Sequence, residues 1–284
     1  EWTGMSDTMQ PGLILDVPED HYHGGLGLSE PTLSYSGAKL LLDCPARYRH
    51  QMAHRVDRPE FDFGHVAHRL VTGAGVTPHV VDAPDWRTKA AQQARKDARA
   101  ASKAPILRDD YRKALAMRDM VRAHPVASRL FIGGDAEVTA VARDPETKVI
   151  LRSRFDYLTR LRGRPVIVDY KTVARSADPA TFGRAAYEYG YDVQDPWYRH
   201  VGALAGLDDP AFLFVIQEKA APYLVSVVEL TDDARQIGAD RGRYARRLFV
   251  DCMTRDHWPG YPPVVHPVAL PGYATAPFIE GDAA

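Results

Sequence analysis

Two cysteines in 284 residues, Cys44 and Cys252, are too few for a disulfide framework or a four-thiolate cluster within one chain. Both are therefore expected as small buried hydrophobes. No apolar run approaches the roughly 18 residues needed to span a bilayer, and no basic-then-apolar leader opens the sequence, so the expectation is a soluble, cytoplasmic protein without a membrane partner. Net charge is equally scarce. The 36 basic and 37 acidic residues leave −1, which gives no global pull toward a polyanion. Internal repeats and a clear linker are lacking too. The chain reads as one compact domain over residues 34–261, with a Pro- and Gly-rich arm over 1–33 and an irregular, Pro-rich tail over 262–284.

A hydrophobic content of 45% is that of a globular protein, and its charges are unevenly placed. From Trp86 to His124 basic residues far outnumber acids on a stretch with helical character, which Pro105 is expected to divide into two helices. Such a one-signed face can hold phosphates, although most charge runs are simply solvated. Ser34 is a hydroxyl cap before a helix carrying Lys39 and Arg47, perturbed by Pro45. A second helix over Phe63–Val71 holds Gly64, His65 and His68. Gly64 there would permit another backbone to approach closely.

The acids matter most. Leu151–Leu158 and Val166–Thr172 are strand-like, and Arg162-Gly163-Arg164-Pro165 between them forms a tight connection, so the pair is a predicted hairpin. An Asp at the end of an apolar strand needs a partner if buried. In Asp169-Tyr170-Lys171 the two-residue strand period puts carboxylate and ammonium on one face. Asp156, thirteen residues before Asp169, brings a second carboxylate nearby. Such oxygen ligands suit Mg²⁺ or Mn²⁺, and the lysine suits a phosphate under attack. The alternative is a buried Asp169–Lys171 ion pair in an ordinary sheet. A third strand, Asp135–Ala142, carries Glu137, which alternation could place with Asp156 or leave at the surface. Downstream, Asp178-Pro179 starts a helix to Tyr189, and Gly190 separates it from a helix on which Gln194 and Tyr198 share a face. Ala211–Gln217 and Tyr223–Leu230 read as strands, and Asp232-Asp233 opens a last helix to about Asp251.

The order helix with His68, strand with Glu137, strand with Asp156, strand with Asp169-x-Lys171, helix with Gln194-x-x-x-Tyr198 resembles the RecB-like branch of the PD-(D/E)XK nucleases. It is most similar to RecE-type (exonuclease VIII) phage enzymes. Ser34-Tyr35-Ser36 and Trp258-Pro259-Gly260-Tyr261 resemble that domain's flanking segments. The resemblance implies an α/β fold, a central mixed sheet flanked by helices, and a Mg²⁺-dependent exonuclease in which Mn²⁺ substitutes. Such an enzyme resects the 5′-ended strand of linear duplex DNA and leaves a 3′ overhang for a single-strand annealing protein, in some cases as a homo-oligomeric ring. It further implies that His68, Asp156, Asp169, the Tyr170 carbonyl and Glu137 hold metal, that Lys171 acts in the chemical step, and that Gln194 and Tyr198 position the scissile nucleotide. Arg152, Arg154, Lys39 and Arg47 are candidate DNA contacts. Cys44-Pro45 resembles the first cysteine of relatives with an iron–sulfur cluster, but the C-terminal cysteine group is missing, so no cluster is expected. The rivals are a single-strand or endonucleolytic RecB-like enzyme and a non-catalytic DNA-binding protein of the same fold.

Overall fold

The computed structural model describes residues 10–54 and 62–270. In chain order it contains β1 (Gly12–Ile14), α1 (Glu19–His23), β2 (Thr32–Ser34), α2 (Tyr35–Asp43), α3 (Pro45–Ala53), α4 (Asp62–Thr72), β3 (Pro78–Val81), α5 (Lys89–Ala100), β4 (Ala104–Leu107) and α6 (Arg108–Ala123). Then follow α7 (Ala127–Leu130), β5 (Asp135–Arg143), β6 (Ile150–Leu161), β7 (Arg164–Val173), α8 (Pro179–Tyr189), α9 (Tyr191–Leu204), β8 (Ala211–Glu218), β9 (Val225–Val228) and α10 (Asp232–Arg255). Among the described residues no helix is long and apolar enough to cross a membrane.

Six strands run in the order β1-β5-β6-β7-β8-β9, and β2 pairs with β6 to complete a seven-stranded sheet. The β6–β7 connection is the tight hairpin expected: Leu161 pairs with Arg164, and Arg162 and Gly163 both take positive φ, as a two-residue turn with the strands' own twist requires. β7 and β8 are parallel, joined by the α8–α9 crossover, so the sheet is mixed.

Helices cover both faces. α2, α8, α9 and α10 bury Leu41, Phe182, Trp197, Val201 and Phe249 against Phe155, Ile167, Phe212 and Phe214. On the other face, Ala67 of α4, Met117 and Val121 of α6 and Leu130 of α7 pack on Tyr157, Val166, Val168 and Val215. The long α10 lies against α9 at a point of close approach. Pro196 in α9 has no N–H for the Asp192 carbonyl one turn earlier. A Cβ on Gly238 of α10 would stand 1.7 Å from that carbonyl oxygen, so only glycine lets the helices meet there.

The structure departs from the sequence expectations at three places. Residues 12–34 are not simply an arm: β1 pairs with β5, and β2 runs parallel to the start of β6. Pro105 does lie in the break between two helices, α5 and α6, but that break is a strand, β4, which pairs in parallel with β3 as a separate two-stranded sheet. Proline is tolerated there because a two-stranded sheet is all edge. Beside Gly64 there is open space, with no described atom within 4 Å of a Cβ built on it, so close backbone approach does not explain that glycine.

Candidate active site

β6 has two partners along one edge. Its first residues, Ile150–Arg152, pair with β2, and its last, Tyr157–Leu161, pair with β7. Between them β7 has not yet joined and β2 has ended, and Asp156 sits in this fork. The β6–β7 ladder stops at Tyr157–Val168, so the next pair in the register is Asp156 opposite Asp169. Facing like charges destabilise a sheet, and the ladder ends at that pair. The backbone N–H of Tyr170, which thereby lacks a strand partner, donates to Asp156 Oδ2 at 2.9 Å.

The same point is irregular on the other side. In the β5–β6 register Glu137 lies opposite Asp156, between the pairs Ala136–Tyr157 and Val138–Phe155. Val138 and Phe155 face the α9 layer, whereas Ala136 and Tyr157, two residues along, face the α4 layer, so both strands break alternation together. Glu137 takes φ +54° to do so, an uncommon conformation for glutamate that recurs at functional sites. The break turns Glu137 and Asp156 toward His68 of α4: Nδ1 lies 3.7 Å from Glu137 Oε1, and Nε2 lies 3.3 Å from Asp156 Oδ2. His65, one turn earlier on the same helix, is exposed.

Asp169 is 2% exposed. Its Oδ1 accepts from Gln194 Nε2 at 2.5 Å, and its Oδ2 lies 2.7 Å from Lys171 Nζ. Gln194 is carried there by α9, whose start is set by Gly190 at φ +76°. The lysine also lies 4.9 Å from the centre of the Tyr191 ring.

The electrostatics show an excess of acid. Burial and the neighbouring Asp156 push Asp169 up to about 6, against the pull of Lys171 and Gln194. Burial likewise raises Glu137. Burial opposes charge on His68, yet Asp156 and Glu137 outweigh it and raise the imidazole to about 9. Burial also opposes charge on Lys171, and Asp169 and Asp156 raise it nevertheless. His68 is thus an imidazolium standing between two carboxylates. In this arrangement, and among the described residues, no three His, Cys, Asp or Glu side chains close into a metal cage.

The remaining expected residues fall elsewhere. Arg152 is 6% exposed and tied to the N-terminal segment: it donates to the Tyr22 carbonyl at 2.5 Å and to Thr32 Oγ1 at 2.9 Å, and its guanidinium lies 4.7 Å over the Tyr22 ring. Arg154 lies 4.3 Å over the same ring, donates to the Val17 carbonyl, and reaches within 3.8 Å of Glu137. Both arginines are thus held against the N-terminal segment around Tyr22. Tyr198 is buried and packs among Tyr35, Phe155 and Phe212. The side chain of Tyr170 points to the α4 layer, donating to Gln217 Oε1 at 2.6 Å. Lys39 is exposed, and its stem packs beside Gly190. Arg47 is paired with Asp43 at 2.6 Å and donates to Tyr261 Oη at 2.8 Å. Sequence reasoning passed over Tyr22 and Tyr191. A tyrosine opening the Gln194 helix, three residues before Gln194, was the sign of the latter, and nothing local marked the former.

No curated protein matches the sequence. Among solved structures, the putative exonuclease from Eubacterium rectale superposes with a TM-score of 0.60 at 12% identity, covering 90% of this chain and 97% of that one. The protein SSO0001 gives a TM-score of 0.38 at 12% identity, covering 83% and 81%. VC1899 from Vibrio cholerae gives 0.22 at 10%, covering 79% and 57%. The first of these shares the fold. Residues 34–263 match the PDDEXK-like domain of unknown function (DUF3799). With a mixed sheet between helix layers and two aspartates and a lysine at the fork of its central hairpin, the chain belongs to that PDDEXK-like family and has the PD-(D/E)XK fold.

Proposed function

We propose that the protein is a metal-dependent deoxyribonuclease, and more narrowly a RecE-like exonuclease that resects the 5′-ended strand of linear duplex DNA. The observation that carries the reading is the register position of Asp156 opposite Asp169, where the hairpin opens, with Lys171 2.7 Å from Asp169. A sheet that needed only stability would not set two carboxylates face to face, because a buried ionic group is easily replaced by a packed apolar one. This weighs against a non-catalytic protein that merely kept the fold.

The donor set fits a hard divalent cation, Mg²⁺ or Mn²⁺: three carboxylates and one imidazole gather at the fork, where the neighbouring cations still leave Asp169 resisting ionisation. Asp156, Asp169, His68, Glu137 and the main-chain carbonyl of Tyr170 would hold it. Bound there, the cation supplies an activated water and neutralises phosphate charge. His68 would release its proton to serve as a ligand, and its contacts to Asp156 and Glu137 fix which ring nitrogen faces which acid. Lys171 would donate to phosphate oxygens as negative charge grows on them. Gln194 holds Asp169 Oδ1 and so orients that carboxylate from behind.

On this reading the 3′-ended strand left by resection passes to an annealing protein, and copies of the chain could encircle the duplex as a ring. Linear, nicked and circular DNA, labelled at defined ends and incubated with Mg²⁺ or with chelator, tests the proposal. The expected result is Mg²⁺-dependent release of nucleotides from 5′ ends of linear duplex only. Cleavage of circles, or a preference for single strands, would replace it with the endonuclease or single-strand reading. Parent protein that leaves all substrates intact would end the nuclease assignment.

A further inference from the structure

The α8–α9 junction carries aromatic surface that the core does not need. Gly190 ends α8 and begins α9 in the left-handed conformation, and a Cβ there would press on the Lys39 stem at 3.2 Å. The Tyr35 hydroxyl donates to the carbonyls of Tyr189 (3.3 Å) and Gly190 (3.1 Å), which pins the turn to α2. The turn therefore sets two flanking rings side by side: Tyr189 and Tyr191 lie 5.7 Å apart at 33°. Tyr191 is anchored by Phe182, stacked at 6.0 Å, and by Phe214 at 5.7 Å. Tyr189 is 55% exposed. Its only ring neighbour among the described residues is Tyr191.

The pair forms a path from solvent to the fork, because Lys171 Nζ lies 4.9 Å from the centre of the Tyr191 ring. Lys39 flanks the same turn. With the Lys171 ammonium beside Tyr191 and the Lys39 stem at the turn, the ring pair has cations close by, and a nucleotide strand uses such an arrangement: phosphates meet the cations and a base lays its π-face on the exposed ring. In a duplex both faces of every interior base are already covered by stacking and only the outer face of a terminal pair is open, so such a ring favours an unpaired base.

We propose that Tyr189, with Tyr191 behind it, is the stacking platform for an unpaired DNA base flanking the phosphate held at Asp156, Asp169 and Lys171. The site thus takes its substrate as a locally single strand, even when that strand is peeled from a duplex end. This rests on the nuclease reading above.

The test uses the full chain in chelator, so that binding is seen without cutting. One probe is a short single-stranded oligonucleotide carrying 2-aminopurine, whose fluorescence is quenched when the base stacks. The other is a GC-rich blunt duplex. The parent and Tyr189→Phe should quench the probe and bind the single strand alike. Tyr189→Ala should lose the quench and bind it about 5- to 150-fold more weakly, the range of one base–aromatic stack. Its affinity for the blunt duplex should be unchanged. A matching thermal midpoint for the two variants would confirm that the exposed position does not alter folding. If Tyr189→Ala binds and quenches like the parent, or weakens on both probes equally, the platform is overturned while the nuclease reading stands. A parent that neither binds nor cuts DNA would overturn both.

Discussion

The β5–β6–β7 meander holds buried acid at its β5–β6 turn and at the β6–β7 fork, and the two places treat it differently. Asp144, in the turn after β5, is 1% exposed. Its Oδ2 accepts from the Thr147 backbone at 3.0 Å and from the Thr147 hydroxyl at 2.6 Å, His200 Nε2 lies 2.9 Å from Oδ1, and Arg246 Nε lies 3.3 Å from Oδ2. Burial pushes this carboxyl up, but Thr147, His200 and Arg246 together hold it below the usual carboxylate range. At the fork, Asp169 has Lys171 and Gln194 and is nevertheless pushed up to about 6. A carboxylate built for structure is surrounded until it is content to be ionised. At the fork, Asp169 is left short of positive charge, whereas burial pushes Asp156 up but His68 and Lys171 hold it below the usual carboxylate range.

The difference can be broken at either end. The largest effect should come from Asp144→Ala, which strands Arg246 and His200 without their acid. Removing one partner of a buried pair typically costs about 3–5 kcal/mol, so chemical denaturation should show a loss of that size while the folded fraction keeps its nuclease rate. Lys171→Ala should do the opposite. Removing a donor aimed at developing charge costs on the order of 10²–10³ in rate, with DNA-end affinity nearly unchanged because many phosphate contacts lie outside the site. Single-turnover cleavage and binding titrations would separate the two. Near-normal cleavage would remove Lys171 from the mechanism, and joint loss of binding and cleavage would assign it to holding DNA.

The smallest effect is a pH signature of opposite sign. A raised pKa means that the stability contributed by Asp169 is present below the ordinary value of 3.8 and is lost as pH rises through about 6. In chelator, Asp169→Asn should therefore gain on the parent across that window, by about 3 kcal/mol at most. For Asp144 the pKa is lowered, so its contribution is present above the ordinary value and lost as pH falls through the folded one. Asp144→Asn should lose ground to the parent as pH rises out of the acid range. Parallel stability curves for the two variants would erase the contrast.

The residues that the sequence placed correctly are those governed by local rules. The hairpin, its turn and the shared face of Asp169 and Lys171 follow from strand period and Gly163. Ser34 caps α2 through Gly37 N, and Asp232 and Asp233 occupy the first turn of α10. Gln194 reaches Asp169 because Gly190 sets the start of α9. What escaped depends on partners far along the chain. Arg152 and Arg154 look like surface cations until Tyr22, about 130 residues earlier, covers them. Tyr198 has the spacing of a site residue, but its burial is decided by Tyr35, Phe155 and Phe212. Glu137 could be set opposite Asp156 only once the register was known and the break in alternation seen.

The hydrogen bond from the Tyr170 amide to Asp156 bears on how an inactive form of this protein should be made. Asp156 is at once a candidate ligand and the acceptor that closes the open end of a ladder. Alanine there would silence the carboxylate and also leave a backbone N–H without an acceptor, a penalty of about 1–3 kcal/mol when such a group is buried. Lost activity would then say as much about a slackened hairpin as about chemistry. Asparagine keeps an oxygen for the amide while removing the charge, which makes it the cleaner knock-out for trapping a bound substrate. At Asp169 the acceptors serve side chains instead, Gln194 and Lys171, and the choice there bears on ion pairing and not on the course of the main chain.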